Sequence, residues 1–350
     1  MSAEEQQRII DEAEQQSAEI ARLQEESGDK LEAILTAALL AVLPSVLRAY
    51  RRYTSVLTGE DGVQLPRGTG AWAASRRRAL QREIEGFTAD VDLDAINATV
   101  REVLTEAATI GSTAAQVLGA VQDIAIDATP LMGLEARAAA IVGRISAELQ
   151  GFQSIMSQVV FDSAVQGFPG RRLERIIIEA FQGEQLPDGS IRSRGLIQRA
   201  AFTIETEVSI VSLDQQMQVL RAAGVRYVRW ITTQNEKVCP FCAARHGRIY
   251  LADRISIPAH YHCHCIPVPV PPELIEQSAG EDRDRSLDID FWQRSETYTA
   301  AVYGSAHNMT TQQAADKLRD YLNRPTQAEK LRYPGVESAV PPLWTWQPPP

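Results

Sequence analysis

Trp230–Pro267 reads WITTQNEKVCPFCAARHGRIYLADRISIPAHYHCHCIP, and it decides how the rest of the chain is read. Every cysteine of the protein lies in it: Cys239, Cys242, Cys263 and Cys265. Four of the five histidines lie there too, His246, His260, His262 and His264, leaving only His307 outside. Cys239-Pro-Phe-Cys242 is a C-x-x-C knuckle, whose tight turn aims two sulfurs at one point. His260-x-x-Cys263-x-Cys265 is the second half. Together they offer five donors for the four corners of a tetrahedral zinc site. Thiolate and imidazole suit zinc, whereas calcium and magnesium want oxygen. Histidine among the ligands favours zinc over an iron–sulfur cluster. Cys239, Cys242 and His260 come first, and Cys263 or Cys265 completes the four. Which four bind stays open. His246 and His262 are read as ordinary loop polar residues.

Competing explanations fit less well. Disulfides suit small secreted chains, and the acidic, Gln-rich start is read as lacking a secretory leader. A thioredoxin-like redox pair expects a βαβ setting and no second cluster. A catalytic zinc keeps a position open for water, whereas here thiolates are numerous enough to close the sphere. Neither H-E-x-x-H nor the deaminase H-x-E signature is present. The expectation is one structural zinc per chain and no catalytic residues.

The 350 residues are 44% hydrophobic and 23% charged, which is globular composition with room for two domains. Aromatics are 6%, and Ala and Gln are frequent, favouring helix over sheet. The net charge of -10 and pI near 5.2 argue against a surface that grips nucleic acid throughout. Ala33–Leu47 is the most apolar run. It is shorter than a bilayer span and contains Pro44, so it reads as a buried helix.

In chain order, Ser2 and Glu5 form a capping box before a long polar helix. Its thin apolar stripe is Ile9, Ile10, Ala13, Ile20 and Leu23. Gly28-Asp29 is expected to break that helix. Residues 58–69 read as a loop. Arg76, Arg77, Arg78 and Arg82 read as a solvated helix face. Helical stripes follow at Ile96, Val100, Val103, Leu104 and Ala107, then at Val117, Val121 and Ile124. After a break at Thr129-Pro130 come Ile141, Ile145, Leu149, Phe152, Ile155 and Val159. Gly167–Gly170 is a turn, Leu173–Phe181 a short amphipathic helix, and Pro187–Gly189 a second turn. One helix spans about 196–208 and another 213–220, closed by Gly224. Val225–Thr232 is the clearest strand, and Arg248–Leu251 is its expected partner. Val268–Pro272 reads as an extended segment leaving the module, and Glu281–Asp290 as a charged linker. Thr310 caps a helix to Leu322. The VPPLWTWQPPP end reads as an extended tail, with Trp344 and Trp346 needing a surface to cover them.

These residues resemble the phage minor head protein family, also called the head morphogenesis or Mu F-like domain. There, a helix ending in Thr-Glu precedes a second helix, a Gly, a strand with Trp, a C-x-x-C knuckle and H-x-x-C-R-C. Here Thr206-Glu207, Gly224, Trp230, Thr232, Val238, Cys239, Cys242, His260, Cys263 and Cys265 fall on those positions. The resemblance covers roughly residues 173–270. Three positions depart: Glu205 stands for Arg, Asn235 for Asp, and His264 for the Arg between the last two cysteines. The last offers an extra donor. The resemblance implies a non-enzymatic virion protein at the portal vertex of a tailed-phage head. Its partners would be the portal and other head or scaffold proteins, with genome DNA contact left open and no membrane. It would act in head assembly and in DNA packaging or ejection, passing through the host cytoplasm during assembly.

The fold expected is α+β: a mostly helical N-terminal region over 1–166, a head-morphogenesis domain over 167–272 with its zinc-stabilised β module at 230–267, and a linker, short helix and Pro/Trp-rich tail over 273–350. The alternative function is a metal-dependent nuclease using His260, His262 and His264, weakened because Asp253 is the only carboxylate between the half-sites. A zinc-ribbon DNA-binding protein is a third reading, disfavoured by the acidic balance.

Overall fold

The computed structural model describes residues 3–54, 70–127, 133–185, 191–232, 238–255, 257–260, 263–279, 287–322 and 324. Ser2, the loop at 58–69, the Thr129-Pro130 break, the turn at 187–189, Asn235, His262 and the Trp344/Trp346 tail lie outside them. The helices are α1 (Ala3–Thr54), α2 (Gly70–Asp90), α3 (Leu93–Val121), α4 (Leu134–Val165), α5 (Gly170–Gln182), α6 (Leu196–Ala222), α7 (Pro240–Arg245), α8 (Pro272–Ala279), α9 (Leu287–Ala306) and α10 (Thr311–Leu322). The strands are β1 (Gly183–Gln185), β2 (Ile191–Arg194), β3 (Tyr227–Ile231), β4 (Ile249–Leu251) and β5 (Ile266–Val270). The fold is α+β, with helices dominant, a three-stranded antiparallel sheet in order β4-β3-β5 and a two-stranded antiparallel pair β1-β2.

Packing divides the chain into two compact units. One comprises Met1–Gln24, Val103–Leu134 and Thr206–Pro350, the other Glu25–Glu102 and Glu135–Glu205. The units interleave along the chain, where the sequence reading has consecutive segments.

The expected stripe Ile9, Ile10, Ala13, Ile20 and Leu23 is buried on α1. Gly28-Asp29 does not break this helix, which runs unbroken to Thr54. A single glycine costs a helix interior only about 1 kcal/mol, and the continuous buried face on either side, Leu23, Ser27 and Leu31, outweighs it. A side chain at Gly28 would begin 2.8 Å from the Glu205 carboxylate, so its smallness serves a close approach. By length and composition alone, α1 is apolar enough to cross a membrane. Leu35, Leu39, Val42, Leu43, Val46 and Leu47 are nevertheless buried inside the protein. Pro44 sits on the exposed side of the same helix.

In the second unit α4 buries Ile141, Ile145, Leu149 and Phe152 as read, then Met156 and Val160. Ile155 is exposed and Val159 half-buried, because the buried stripe continues in steps of four. Phe152 meets Phe181 of α5 edge-to-face at 5.4 Å. β1 pairs antiparallel with β2, Gly183 opposite Arg194, a pairing the sequence reading leaves out.

From Thr206 onward α6 belongs to the first unit. The two helices expected around 196–220 are this one helix, and Thr206-Glu207 lie inside it instead of ending a helix. No Gly or Pro interrupts 208–213, and the segment is buried on most sides. Two of its buried glutamines donate side-chain hydrogen bonds: Gln216 Nε2 to the Pro267 carbonyl at 3.0 Å, and Gln215 Nε2 to Ser112 Oγ at 2.8 Å. Gln16 Nε2 on α1 donates to Gln216 Oε1 at 2.9 Å. On α3 the early stripe is buried, but from Ala114 onward the burial falls on Ala114, Ala115 and Leu118, with Val117, Val121 and Ile124 half-buried. The reason is close packing: a Cβ on Gly111 would meet the Ser212 carbonyl oxygen at 2.0 Å.

A Schellman arrangement ends α6. The N–H of Gly224 (φ +77) donates to Arg221 O and that of Val225 to Leu220 O, both at 3.0 Å. β3 follows at once. It pairs antiparallel with β4, Arg229 opposite Ile249, and with β5, Trp230 opposite Pro267. Val268–Val270 therefore does not leave the module but forms its edge strand. Prolines are tolerated at an edge where their missing N–H faces away from the neighbour. The Pro267 carbonyl, bonded by Gln216 of α6, shows that orientation. Pro272 starts α8, the position where a helix accepts proline best. The charged stretch 287–290, read as linker, is the start of α9. Thr310 caps α10 reciprocally: Thr310 Oγ1 accepts from the Gln313 N–H, and Gln313 Oε1 accepts from the Thr310 N–H.

Candidate metal centre

The knuckle is a short helix start. Cys239 is the N-cap of α7, its sulfur accepting the Cys242 N–H at 3.4 Å, and Pro240 takes the first helical position. That geometry turns both thiols to one side. From the opposite chain segment His260 brings Nε2 to 2.9 Å from Cys239 Sγ and 3.1 Å from Cys242 Sγ. The Cys263 N–H donates to the His260 carbonyl, a turn that carries Cys263 Sγ to 3.8 Å from Cys242 Sγ. Cys265 immediately precedes β5 and hydrogen-bonds Thr232 at the end of β3.

Two overlapping donor triads result, Cys239/Cys242/His260 and Cys242/Cys263/Cys265, each with its donor atoms within 4.8 Å of one another. Cys242 belongs to both. A tetrahedral zinc with bonds of about 2.3 Å to sulfur and 2.0–2.1 Å to nitrogen has donor–donor edges of about 3.5–3.8 Å. The Cys242–Cys263 separation meets that length, and the His260 contacts are about half an ångström tighter. All five expected ligands converge, and they could hold a metal ion.

The thiols already share protons unevenly. Hydrogen bonding from Cys242 pulls Cys239 down to about 5, and His260 adds to the effect. Cys242 is pushed up by the same partnership, and Cys265 by burial. Closely spaced thiols with no disulfide among them, three of the four buried, form a donor set from which a soft cation displaces protons.

The histidines separate cleanly. His264, the extra donor offered by the sequence, is not in either triad. Its Nε2 lies 2.8 Å from Gln24 Oε1 on α1, and Gln24 Nε2 donates to Ser209 Oγ of α6 at 2.7 Å. His246, read as an ordinary polar loop residue, lies in the turn after α7 and is fully buried, accepting the Thr232 N–H at Nδ1. Burial first, and the nearby Arg229 charge second, push it down to about 3. Asp253 is exposed and pairs loosely with Arg254. Among the described residues neither triad includes a carboxylate.

Arg245 went unnoticed in the sequence. It is buried, yet its guanidinium meets backbone carbonyls of Phe241 (3.1 Å), Tyr321 (3.5 Å) and Arg324 (2.8 Å). Phe241, between the knuckle cysteines, packs edge-to-face on Tyr321 at 5.0 Å. The end of α10 thus seals the knuckle. Gln24 and Thr232 were equally unmarked: a glutamine among many on a polar helix carries no sign of a histidine over 200 residues away.

No family model, curated protein or solved structure matches this chain.

Proposed function

We propose that the chain is a structural minor head protein of a tailed phage, associated with the portal and working in head assembly and in DNA packaging or ejection. One zinc per chain would hold the module of β3, β4, β5 and α7 rigid. The observation that carries the reading is the gathering of Cys239, Cys242, His260, Cys263 and Cys265 into two donor triads that share Cys242, in the order and spacing of the family resembled. A sphere rich in thiols and lacking carboxylates favours a structural ion over an activated water. The direction of His264 toward Gln24 removes one residue the nuclease alternative relies on. Virion location and portal contact rest on the resemblance alone.

The test is co-expression with the portal protein encoded in the same genome, followed by affinity capture. Co-purification is expected, and weaker capture after deletion of 341–350. A chain that never associates with portal, alone or in procapsids, contradicts the reading. Incubation with single- and double-stranded DNA and magnesium, manganese or zinc should leave the DNA intact. Metal-dependent cleavage lost on His262→Ala would establish the nuclease instead.

A further inference from the structure

The second unit gathers arginines that the sequence scatters. Residues 45–54, 70–82 and 163–173 contain no Asp or Glu. They hold Arg51 and Arg52 at the end of α1, Arg77, Arg78 and Arg82 on α2, and Arg171 and Arg172 opening α5, all exposed.

Side-chain contacts bring the three segments to one corner. Arg76 of α2 donates to the Arg52 carbonyl of α1. Arg77 lies over the Phe161 ring of α4 at 5.0 Å, and Phe161 meets Tyr53 of α1 edge-to-face at 6.0 Å. Tyr50 of α1 donates to the Phe168 carbonyl at 2.8 Å, and Arg172 lies flat over Phe168 at 3.6 Å. The Arg51 Nε is 3.5 Å from where a side chain on Gly170 would start. α5 begins at this corner with no side-chain cap, so its positive end adds to the field. The flanking carboxylates, Asp162, Glu83 and Glu174, are outnumbered.

We propose that this corner binds the sugar–phosphate backbone of a nucleic acid. The reading goes beyond the head-protein proposal, which gives nucleic acid no surface, and it does not depend on the metal centre. Arginine forks match phosphate oxygens two at a time, and aromatic rings beneath Arg77 and Arg172 hold the forks outward before binding. The chain's acidic balance repels polyanions elsewhere and confines contact to this corner. A lipid surface is the poorer match, because insertion needs exposed apolar side chains beside the charge. Among the described residues at this corner Val165 is the exposed large one. Contacts to the phosphates carry no sequence information, so binding is independent of sequence.

The test uses the full chain and a fluorescent 20-base-pair duplex, titrated by anisotropy at several salt concentrations. Micromolar binding at low salt is expected, weakening with a log–log slope of about −4 to −6 as phosphates are neutralised. Arg77→Ser/Arg78→Ser/Arg172→Ser should bind at least tenfold more weakly. Its slope should flatten by roughly 0.9 per arginine. Should the triple variant lose its circular dichroism signal, Arg78→Ser alone tests the point, with a slope shallower by about 1. Arg319→Ser, exposed on α10, should bind as wild type does. Equal binding by the corner variants and the wild type overturns the proposal. So does binding to phosphatidylserine vesicles without binding to the duplex, or full displacement of the duplex by an equal charge of polyglutamate. Portal capture is read separately, so failure of either proposal leaves the other standing.

Discussion

Replacing Gly111 by alanine sets two effects against each other. Alanine in a helix interior gains about 1 kcal/mol over glycine. Against that, the new Cβ would sit 2.0 Å from the Ser212 carbonyl oxygen, 2.9 Å from its carbon and 3.2 Å from the Gln216 nitrogen. These are backbone atoms and cannot rotate away. Restoring an ordinary 3.4 Å contact needs α3 and α6 to part locally by roughly 1.4 Å. Overpacking of this kind costs about 1–3 kcal/mol. The separation also stretches the Gln215–Ser112 hydrogen bond next door, worth about 1 kcal/mol. The packing cost outweighs the propensity gain, and a net loss of about 1–3 kcal/mol is expected. Gly143 on α4 has nothing within 4 Å of its would-be Cβ, so Gly143→Ala should gain about 0.5–1 kcal/mol. Urea unfolding followed by far-UV circular dichroism measures both. A Gly111→Ala protein as stable as the wild type would refute the close approach of these helices.

Further expectations follow from the metal centre and its surroundings. Elemental analysis should find about one zinc per chain, lost on acidification from pH 7 to 5 as the ligands take up protons. Cys242→Ser, which removes the donor common to both triads, should abolish metal binding and loosen the module around Trp230, with most helix retained; His264→Ala should keep the metal, and equal loss in both would contradict the separation of their roles. His246 has its pKa lowered to about 3 against the ordinary 6.5, so its contribution is complete above pH 6.5 and is lost as the pH falls toward 3. About 2 kcal/mol should be gone at pH 5, and an NMR titration of the folded protein should show His246 neutral there. A midpoint near 6.5 would contradict its burial. Arg245→Met strands the carbonyls of Phe241, Tyr321 and Arg324 and should cost about 3 kcal/mol, with faster proteolysis near α10. Unchanged protease resistance would count against the seal.

The candidate donors were legible because their chemistry is carried by residue type and spacing: Cys239, Cys242, His260, Cys263 and Cys265 fall into one compact cluster that could hold a metal ion. β3 and β4 were legible from β-branched and aromatic runs, and the Thr310 cap from the hydroxyl residues that open the helix. What failed was decided by contacts distant in sequence. Gly28 looks like a breaker until the approach of α6 at Glu205 is seen. Thr206-Glu207 look like a helix end until the surrounding burial of α6 carries the helix through. Pro267 and Pro269 read as linker because local propensity cannot tell a sheet edge from a free extended chain. His264 differs from His260 only in which neighbour each meets, and one neighbour is Gln24 of α1.

The Arg245 contacts also set an order of events. Synthesis runs from the N-terminus, so this guanidinium leaves the ribosome 79 residues ahead of the Arg324 carbonyl that receives it. At ordinary translation rates the interval is roughly 4–16 s. During it the charge stays hydrated, and Phe241 waits for Tyr321. A chain halted before α10 holds every metal donor and still has a wet, unsealed knuckle. Docking of α10 thereby reports that synthesis has passed Arg324, and a chain that stops short of it leaves Phe241 without its Tyr321 partner.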